Sequence, residues 1–350
     1  MEEERPFLLP DRAMMEKVYE TSKPEAGLFR YIHDKGKYPA YGNASIKYFP
    51  LGEDKFKEMI YQLERARDFI FLEDFIVERG HMWNTILDIL VRKAREGVEV
   101  RFMYDGTCTL SLLPKNYNRR MEALGIKCKI FSPMMPFLAT HQNNRDHRKI
   151  TVIDGQVGFT GGYNLADEYF NITHPYGLWK DTGVRMEGDA VRSLTVMFLE
   201  MWNAIKKTDT DYTAYFPEIT YTAKQTGYVQ PYADNPLDDE HTGENVYMNV
   251  LNSAREYAYF ITPYLLISDE MKKAFTLAAR RGVDVRIITP GIPDKKFVYQ
   301  ATRSYYNRLV KKGVRIFEYT PGFCHAKQCV SDDKAAVVGT INLDYRSLFL

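Results

Sequence analysis

The order of apolar and polar positions predicts strands and helices in alternation. Ser45-Ile46-Lys47-Tyr48-Phe49 reads as a strand, and Asp54 to Arg67 sets Phe56, Met59, Ile60 and Leu63 on one helical stripe. Asp68 to Val77 follows as a strand, Met82 to Glu96 as a helix stopped by Gly97, and Val98 to Tyr104 as a buried strand. Arg119 to Leu124 closes a helix at Gly125, and Ile126 to Phe131 is the next strand. That alternation predicts an α/β protein whose mixed or parallel sheet is covered by helices. Residues 1–43, with Pro6, Pro10, Pro24 and Pro39 and a short helix around Arg12 to Tyr19, read as an arm or linker.

The same order then returns. Arg255-Glu256-Tyr257-Ala258-Tyr259-Phe260-Ile261-Thr262 echoes Arg67 to Glu73, and Ala279 to Arg286 echoes Ala94 to Arg101. Leu309 to Phe317 matches Met121 to Phe131. The shift is 185 residues from Gly97 to Gly282, 188 from Gly125 to Gly313 and 178 from His147 to His325. A shift this steady indicates an internal duplication, with slippage absorbed in loops. The expected organisation is a first half at 44–205, a polar connecting segment at 206–245 and a second half at 246–350, packed so that an active site lies at their interface.

Each half carries one dense polar motif. His147-Arg148-Lys149 is followed by Asp154 and by Gly161-Gly162-Tyr163-Asn164, and His325-Ala326-Lys327 by Asp332 and Gly339-Thr340-Ile341-Asn342. In a strand, His147 and Lys149 share a face, as do His325 and Lys327. Asp154-Gly155 and Asp332-Asp333-Lys334 read as tight turns of hairpins that bring Asn164 and Asn342 back beside the His-x-Lys pairs. Gly162 and Thr340 would let a bulky anion approach the backbone. A titratable nitrogen, a cation, a carboxylate and an amide in one short span suit a phosphate ester, and two copies imply one site with two histidines.

Composition narrows the partners. The 350 residues are 45% hydrophobic, enough to bury a large core, and 47 basic against 46 acidic residues leave a net charge of +1. That balance argues against holding nucleic acid by bulk electrostatics. Cys108, Cys128, Cys324 and Cys329 have no C-x-x-C spacing, so they read as reduced structural thiols rather than zinc ligands or disulfides. No apolar run approaches the ~18 residues of a membrane span, and the charged start is unlike a signal peptide. His33, His81, His174 and His241 read as ordinary core or surface residues, and Lys295-Lys296 and Lys311-Lys312 as solvated helix ends. His141 and the apolar loop Pro133 to Leu138 lie close enough to the first motif to touch substrate or a bilayer. Trp179 and Tyr264 read as aromatic core or as the cleft mouth.

The doubled His-x-Lys-x4-Asp motif resembles the phospholipase D superfamily. Asn143 to Lys149, Phe159 to Tyr169, Trp179-Lys180-Asp181-Thr182 and Gly339 to Ser347 look like a bacterial cardiolipin synthase, as do Phe71 to Phe75 and Thr262-Pro263-Tyr264. The resemblance covers about residues 44 to 350. It implies two pseudo-symmetric halves and transfer of a phosphatidyl group from one phosphatidylglycerol to the hydroxyl of another; because no carboxylate and histidine cluster has metal-ligand spacing and two lysines already supply charge, neither metal nor other cofactor is expected. It also implies membrane-spanning helices ahead of the chain and tens of residues past the second motif, so the chain is expected to be part of a longer enzyme, peripheral as written, at the cytoplasmic face of the cell membrane. His147 is the implied nucleophile and His325 the acid/base. Lys149, Lys327, Asn164 and Asn342 should neutralise the phosphate. Of the carboxylates that must orient the imidazoles, the sequence offers Asp344 for His147 and Asp167 or Glu168 for His325, while Asp154 and Asp332 are expected to hold the turns. Hydrolysis by the same site, as a phospholipase D or a nuclease, and a silent lipid-binding module are the alternatives. The oligomeric state is not legible.

Overall fold

The computed structural model describes residues 3–133, 145–234 and 240–349. In chain order the first half comprises α1 (Arg12–Thr21), α2 (Lys23–Tyr31), β1 (Ala44–Phe49), α3 (Gly52–Glu64), β2 (Phe69–Asp74), α4 (His81–Arg95), β3 (Glu99–Asp105), α5 (Cys108–Ser111), α6 (Tyr117–Ala123), β4 (Lys127–Phe131), β5 (Ile150–Ile153), β6 (Val157–Gly161), β7 (Gly183–Gly188) and α7 (Val191–Ile205). The second comprises α8 (Thr242–Ser253), β8 (Tyr257–Ile261), β9 (Leu265–Leu266), α9 (Asp269–Arg280), β10 (Asp284–Pro290), α10 (Lys296–Val310), β11 (Arg315–Tyr319), β12 (Gln328–Ser331), β13 (Ala335–Val338), β14 (Leu343–Asp344) and α11 (Tyr345–Phe349).

Both main sheets are mixed. The first runs β1-β7-β6-β5-β2-β3-β4 and the second β11-β10-β8-β12-β13. Strand β2 is parallel to β3 and antiparallel to β5, and β8 is likewise parallel to β10 and antiparallel to β12. Every residue of β2 is buried, which explains why Phe69-Ile70-Phe71-Leu72 is a continuous apolar run rather than an alternating one. Superposing the two strand orders pairs β6 with β13. Strand β6 is covered by β7 and then β1, whereas β13 is an edge among the described residues.

The duplicated hairpins turn in the same way. Gln156 N–H donates to the Ile153 carbonyl (3.0 Å) and Lys334 N–H to that of Ser331 (2.9 Å), closing turns whose central residues all have positive φ: Asp154 and Gly155, then Asp332 and Asp333. Each turn aspartate then reaches back to the strand beside it. Asp154 accepts from the backbone N–H groups of Arg67, Asp68 and Phe69, all at 2.9 Å, and Asp332 from those of Arg255, Glu256 and Tyr257 at 2.8–3.0 Å. These two carboxylates tie hairpin to sheet and are not poised for proton transfer.

Within the stretch 1–43, expected to be an arm, residues 3–43 are instead folded onto the body. Leu8, Leu28, Ile32, Tyr38 and Tyr41 are buried in the same core as Met197 and Phe198 of α7, Tyr247 of α8 and Phe260 of β8. The polar spacing and four prolines of this stretch concealed an apolar face of few residues. That core spans both halves and fixes them against each other. His141 and the loop 134–138 fall outside the described residues.

Candidate active site

One extended chain contact builds the site across the two halves. Leu178 N–H donates to Pro321 O (3.0 Å), Lys180 N–H to Phe323 O (2.9 Å) and His325 N–H back to Lys180 O (2.7 Å). The approach is close enough that a Cβ on Gly322 would lie 2.2 Å from the Leu178 carbonyl oxygen. This pairing carries Asp181 of the first half to His325 of the second. His325 Nδ1 and Asp181 Oδ2 are 2.6 Å apart, and Asp181 is fully buried.

Gly162 makes room for that pair. A Cβ at this position would stand 2.0 Å from Asp181 Oδ1. The small residue expected to admit a phosphate therefore admits the carboxylate that holds His325. The counterpart position in the second half is Thr340, whose carbonyl oxygen lies 3.1 Å from His147 Nδ1. Since a carbonyl can only accept, Nδ1 of His147 carries the proton and Nε2 is its basic nitrogen. Each imidazole is thus held by the opposite half, one by a carboxylate and one by a backbone carbonyl.

Three sequence expectations about carboxylates are corrected here. Asp167 accepts from the backbone N–H groups of His81 and Met82, at 2.9 and 2.8 Å, so it caps α4 and does not orient His325. Glu168 lines the cavity without a contact to His325; burial raises the affinity of its carboxyl for a proton. Asp344 accepts from Ser347 N–H (2.8 Å), closing the first turn of α11, rather than orienting His147. Asp181 was visible in the Trp179-Lys180-Asp181-Thr182 segment, but its pairing with His325 depends on the cross-half contact, which spacing along the chain does not reveal.

The amide nitrogens of the two asparagines are also committed. Asn164 accepts from Ile76 N–H (3.1 Å) and donates to the Tyr169 hydroxyl (2.7 Å), and Asn342 donates to the Ser347 hydroxyl (3.0 Å). They hold the loops behind the histidines. Lys149 and Lys327 are almost wholly buried, and each donates to the carbonyl of its own motif histidine. Burial brings their ammonium groups down to about 8 and about 7. Asp74 and Asp146 act on Lys149, and Glu73 adjoins those two carboxyls. Burial, followed by the charge of Asp146, pushes Glu73 well up, and burial takes Asp74 up to about 8.

Both imidazoles resist protonation. Burial, then the charges of Lys149 and Lys327, holds His147 well below the usual histidine range. Burial and Lys327 outweigh Asp181 at His325, which falls to about 4. Tyr169, Trp179 and Phe323 surround the His325 ring, with centroids 5.3, 5.2 and 5.8 Å away, and Phe75 meets the His147 ring at 4.9 Å. Asp181 stays ionised: burial opposes it, but His325 and Lys327 hold its carboxyl below the ordinary value. His147, Lys149, Asn164, His325, Thr340, Asn342 and Asp344 line one cavity of about 2500 Å³ between the halves. Among the described residues no group of three or more His, Cys, Asp or Glu could hold a metal ion. The four cysteines are free and buried.

Two His-x-Lys pairs at the interface of duplicated α/β halves define a phospholipase D-like protein, and comparison with known proteins agrees. A family model described as cardiolipin synthase, PLD-like domain, matches residues 59–202 and 247–350. The chain belongs to that family. An uncharacterized protein of Streptococcus mutans serotype c is 51% identical over 345 residues, covering 99% of this chain and 75% of its own length. A cardiolipin synthase of Alkalihalophilus pseudofirmus is 38% identical over 325 residues, covering 92% of this chain and 64% of the synthase. The chain therefore spans about two thirds of the length of that relative. A phosphatidylserine synthase from Haemophilus influenzae shares the fold with a TM-score of 0.65 at 14% identity, over 92% of this chain and 84% of that one. Among the described residues no helix is long and apolar enough to cross a membrane.

Proposed function

We propose that the site transfers a phosphatidyl group between two phosphatidylglycerol molecules, yielding cardiolipin and glycerol. The observation that carries this reading is the convergence of His147 and His325, each held through Nδ1 by the other half, on a single cavity with Lys149. A phosphodiester placed between them meets the Lys149 ammonium at the cavity wall, and the charge of Lys327, buried beside His325, adds to the field that neutralises it and stabilises the charge gained in the transition state. Its negative charge in turn offsets the lysines that depress His325, so that His325 takes up a proton as substrate binds. His147 Nε2 attacks phosphorus, forming a P–N bond as the P–O bond to glycerol breaks, and His325 gives its proton to the leaving alkoxide. The hydroxyl of the second phosphatidylglycerol then loses its proton to His325 and attacks the phosphohistidine, releasing His147. Work at a membrane surface, at its cytoplasmic face, belongs to the same proposal; the cardiolipin synthases among the relatives support the phospholipid substrate.

The test is incubation of the chain, with EDTA, with vesicles containing labelled phosphatidylglycerol, beside His147→Ala and His325→Ala. Cardiolipin and glycerol, abolished by either substitution, are expected. Phosphatidic acid as sole product would make the site a hydrolase, and turnover surviving both substitutions would refute the two-histidine chemistry.

A further inference from the structure

The lip of the cavity beside His325 has a character that the chemistry of the site does not use. Three loops meet there. Gly177 bridges Gly322, Ile292 N–H donates to Gly322 O (3.1 Å), and the position a Gly177 Cβ would take is 3.0 Å from Ile292 Cδ1. On this cluster Leu178 is 50% exposed, Ile292 39%, and Phe297, in the first turn of α10, 82%. Scattered single apolar residues need no explanation, but these belong to neighbouring loops at one opening. Tyr176, Asp294 and Lys295 of these loops, with Tyr264 and Val298 beside them, line the cavity that contains His325. Exposed Lys295 and Lys296 stand between Ile292 and Phe297. Asp294, the carboxylate of that loop, accepts from the Tyr264 hydroxyl (2.6 Å).

We propose that Leu178, Ile292 and Phe297, flanked by Lys295 and Lys296, form a docking rim that seats the cavity mouth on a bilayer containing anionic lipid. Apolar tips beside ammonium groups match the acyl and phosphate layers of such a surface, and the rim is continuous with the cavity into which a lipid headgroup would pass. Lys295 and Lys296, read from sequence as a solvated helix end, thereby gain a partner. The choice of a bilayer as partner rests on the lipid reading of the site. The rim's existence as an exposed apolar and basic cluster does not.

The experiment is sedimentation of the chain with phosphatidylcholine vesicles, with and without phosphatidylglycerol, scored as bound protein without reference to turnover. Variants are Leu178→Glu with Phe297→Glu, Lys295→Glu with Lys296→Glu, and Leu277→Glu as an exposed apolar control on α9; thermal melts by circular dichroism establish that each is folded. The wild type should bind the anionic vesicles, and Leu178→Glu combined with Phe297→Glu should weaken partitioning at least ~10-fold. Each lysine should contribute about fivefold, a share that salt removes. Binding that the rim variants leave unchanged, that Leu277→Glu weakens equally, or that is absent from the wild type would overturn the proposal. If the chain binds through the rim yet forms no cardiolipin, the docking surface stands and the transferase reading falls.

Discussion

Replacing Gly162 with alanine is the sharpest test of how His325 is held. The new Cβ would stand 2.0 Å from Asp181 Oδ1, 2.9 Å from its Cγ and 3.1 Å from Oδ2, so the carboxylate as a whole must move. It has little room to do so without losing the 2.6 Å contact to His325 Nδ1, because Asp181 is 0% exposed. Depriving a buried carboxylate of its hydrogen-bond donor costs about 3 kcal/mol, which sets the upper bound for Gly162→Ala. Asp181→Ala removes every atom in the clash. In that background the added methyl should cost less than ~1 kcal/mol, leaving a coupling between the two positions of about 2 kcal/mol or more. Urea unfolding of the four proteins of the cycle measures this, and the NMR titration of His325 reports whether its partner has moved. Additivity within about 0.5 kcal/mol would refute the argument, since it would mean that the methyl never met the carboxylate.

Acid should destabilise the chain through His325. Its folded value of about 4 lies below the ordinary 6.5, so between those limits the unfolded chain binds a proton that the native one refuses. The stability is therefore complete above pH ~6.5 and is lost as pH falls towards ~4, by about 3 kcal/mol for this group, and His325→Gln should flatten the slope of stability against pH in that window. Asp154→Ala and Asp332→Ala each strip the acceptor from three backbone N–H groups. Each should lower stability by about 2–3 kcal/mol in urea titrations, and the losses should add because the turns lie in different halves. With Lys149 and Lys327 supplying the positive charge, chelation should leave phosphatidyl transfer within about twofold of its untreated rate, measured by product release.

The halves were legible because their signals are local. Hydrophobic period, the glycines that end α4 and α9, and the Asp turns all act within a few residues, and they recur at a steady shift. The turn aspartates could be read as structural because a carboxylate at a two-residue turn has only backbone within reach. What eluded sequence reasoning depended on contacts between distant segments. The first 43 residues hide Leu8, Leu28 and Ile32 among charges and prolines, and only the groove formed by α7 and α8 makes them core. Asp167 lies three residues past Asn164 and seemed the natural partner for His325; its carboxylate is instead used by the first N–H groups of α4, while Asp181 arrives on a strand-like segment paired with 321–326.

The two halves repeat their motifs but not their surroundings, and this asymmetry bears on the choice of nucleophile. His325 has a carboxylate at Nδ1, which stabilises the imidazolium and suits a group that must accept and return a proton. At His147, Nδ1 faces the Thr340 carbonyl, which fixes the tautomer without holding a full opposing charge. The ring is then a neutral base with its lone pair on Nε2, the form that attacks phosphorus. The flanking residues sharpen the contrast. Asp146 and Arg148 flank His147, with Glu73 and Asp74 on the adjacent strand, whereas Cys324, Ala326, Ile261 and Thr262 occupy the corresponding places around His325. On the proposed mechanism this asymmetry gives the phosphoryl group to His147 and the proton to His325, since of the two only His325 has a carboxylate at Nδ1. If the roles were reversed, the phosphorylated residue trapped by rapid acid-free quenching would map to His325; on this reasoning it maps to His147.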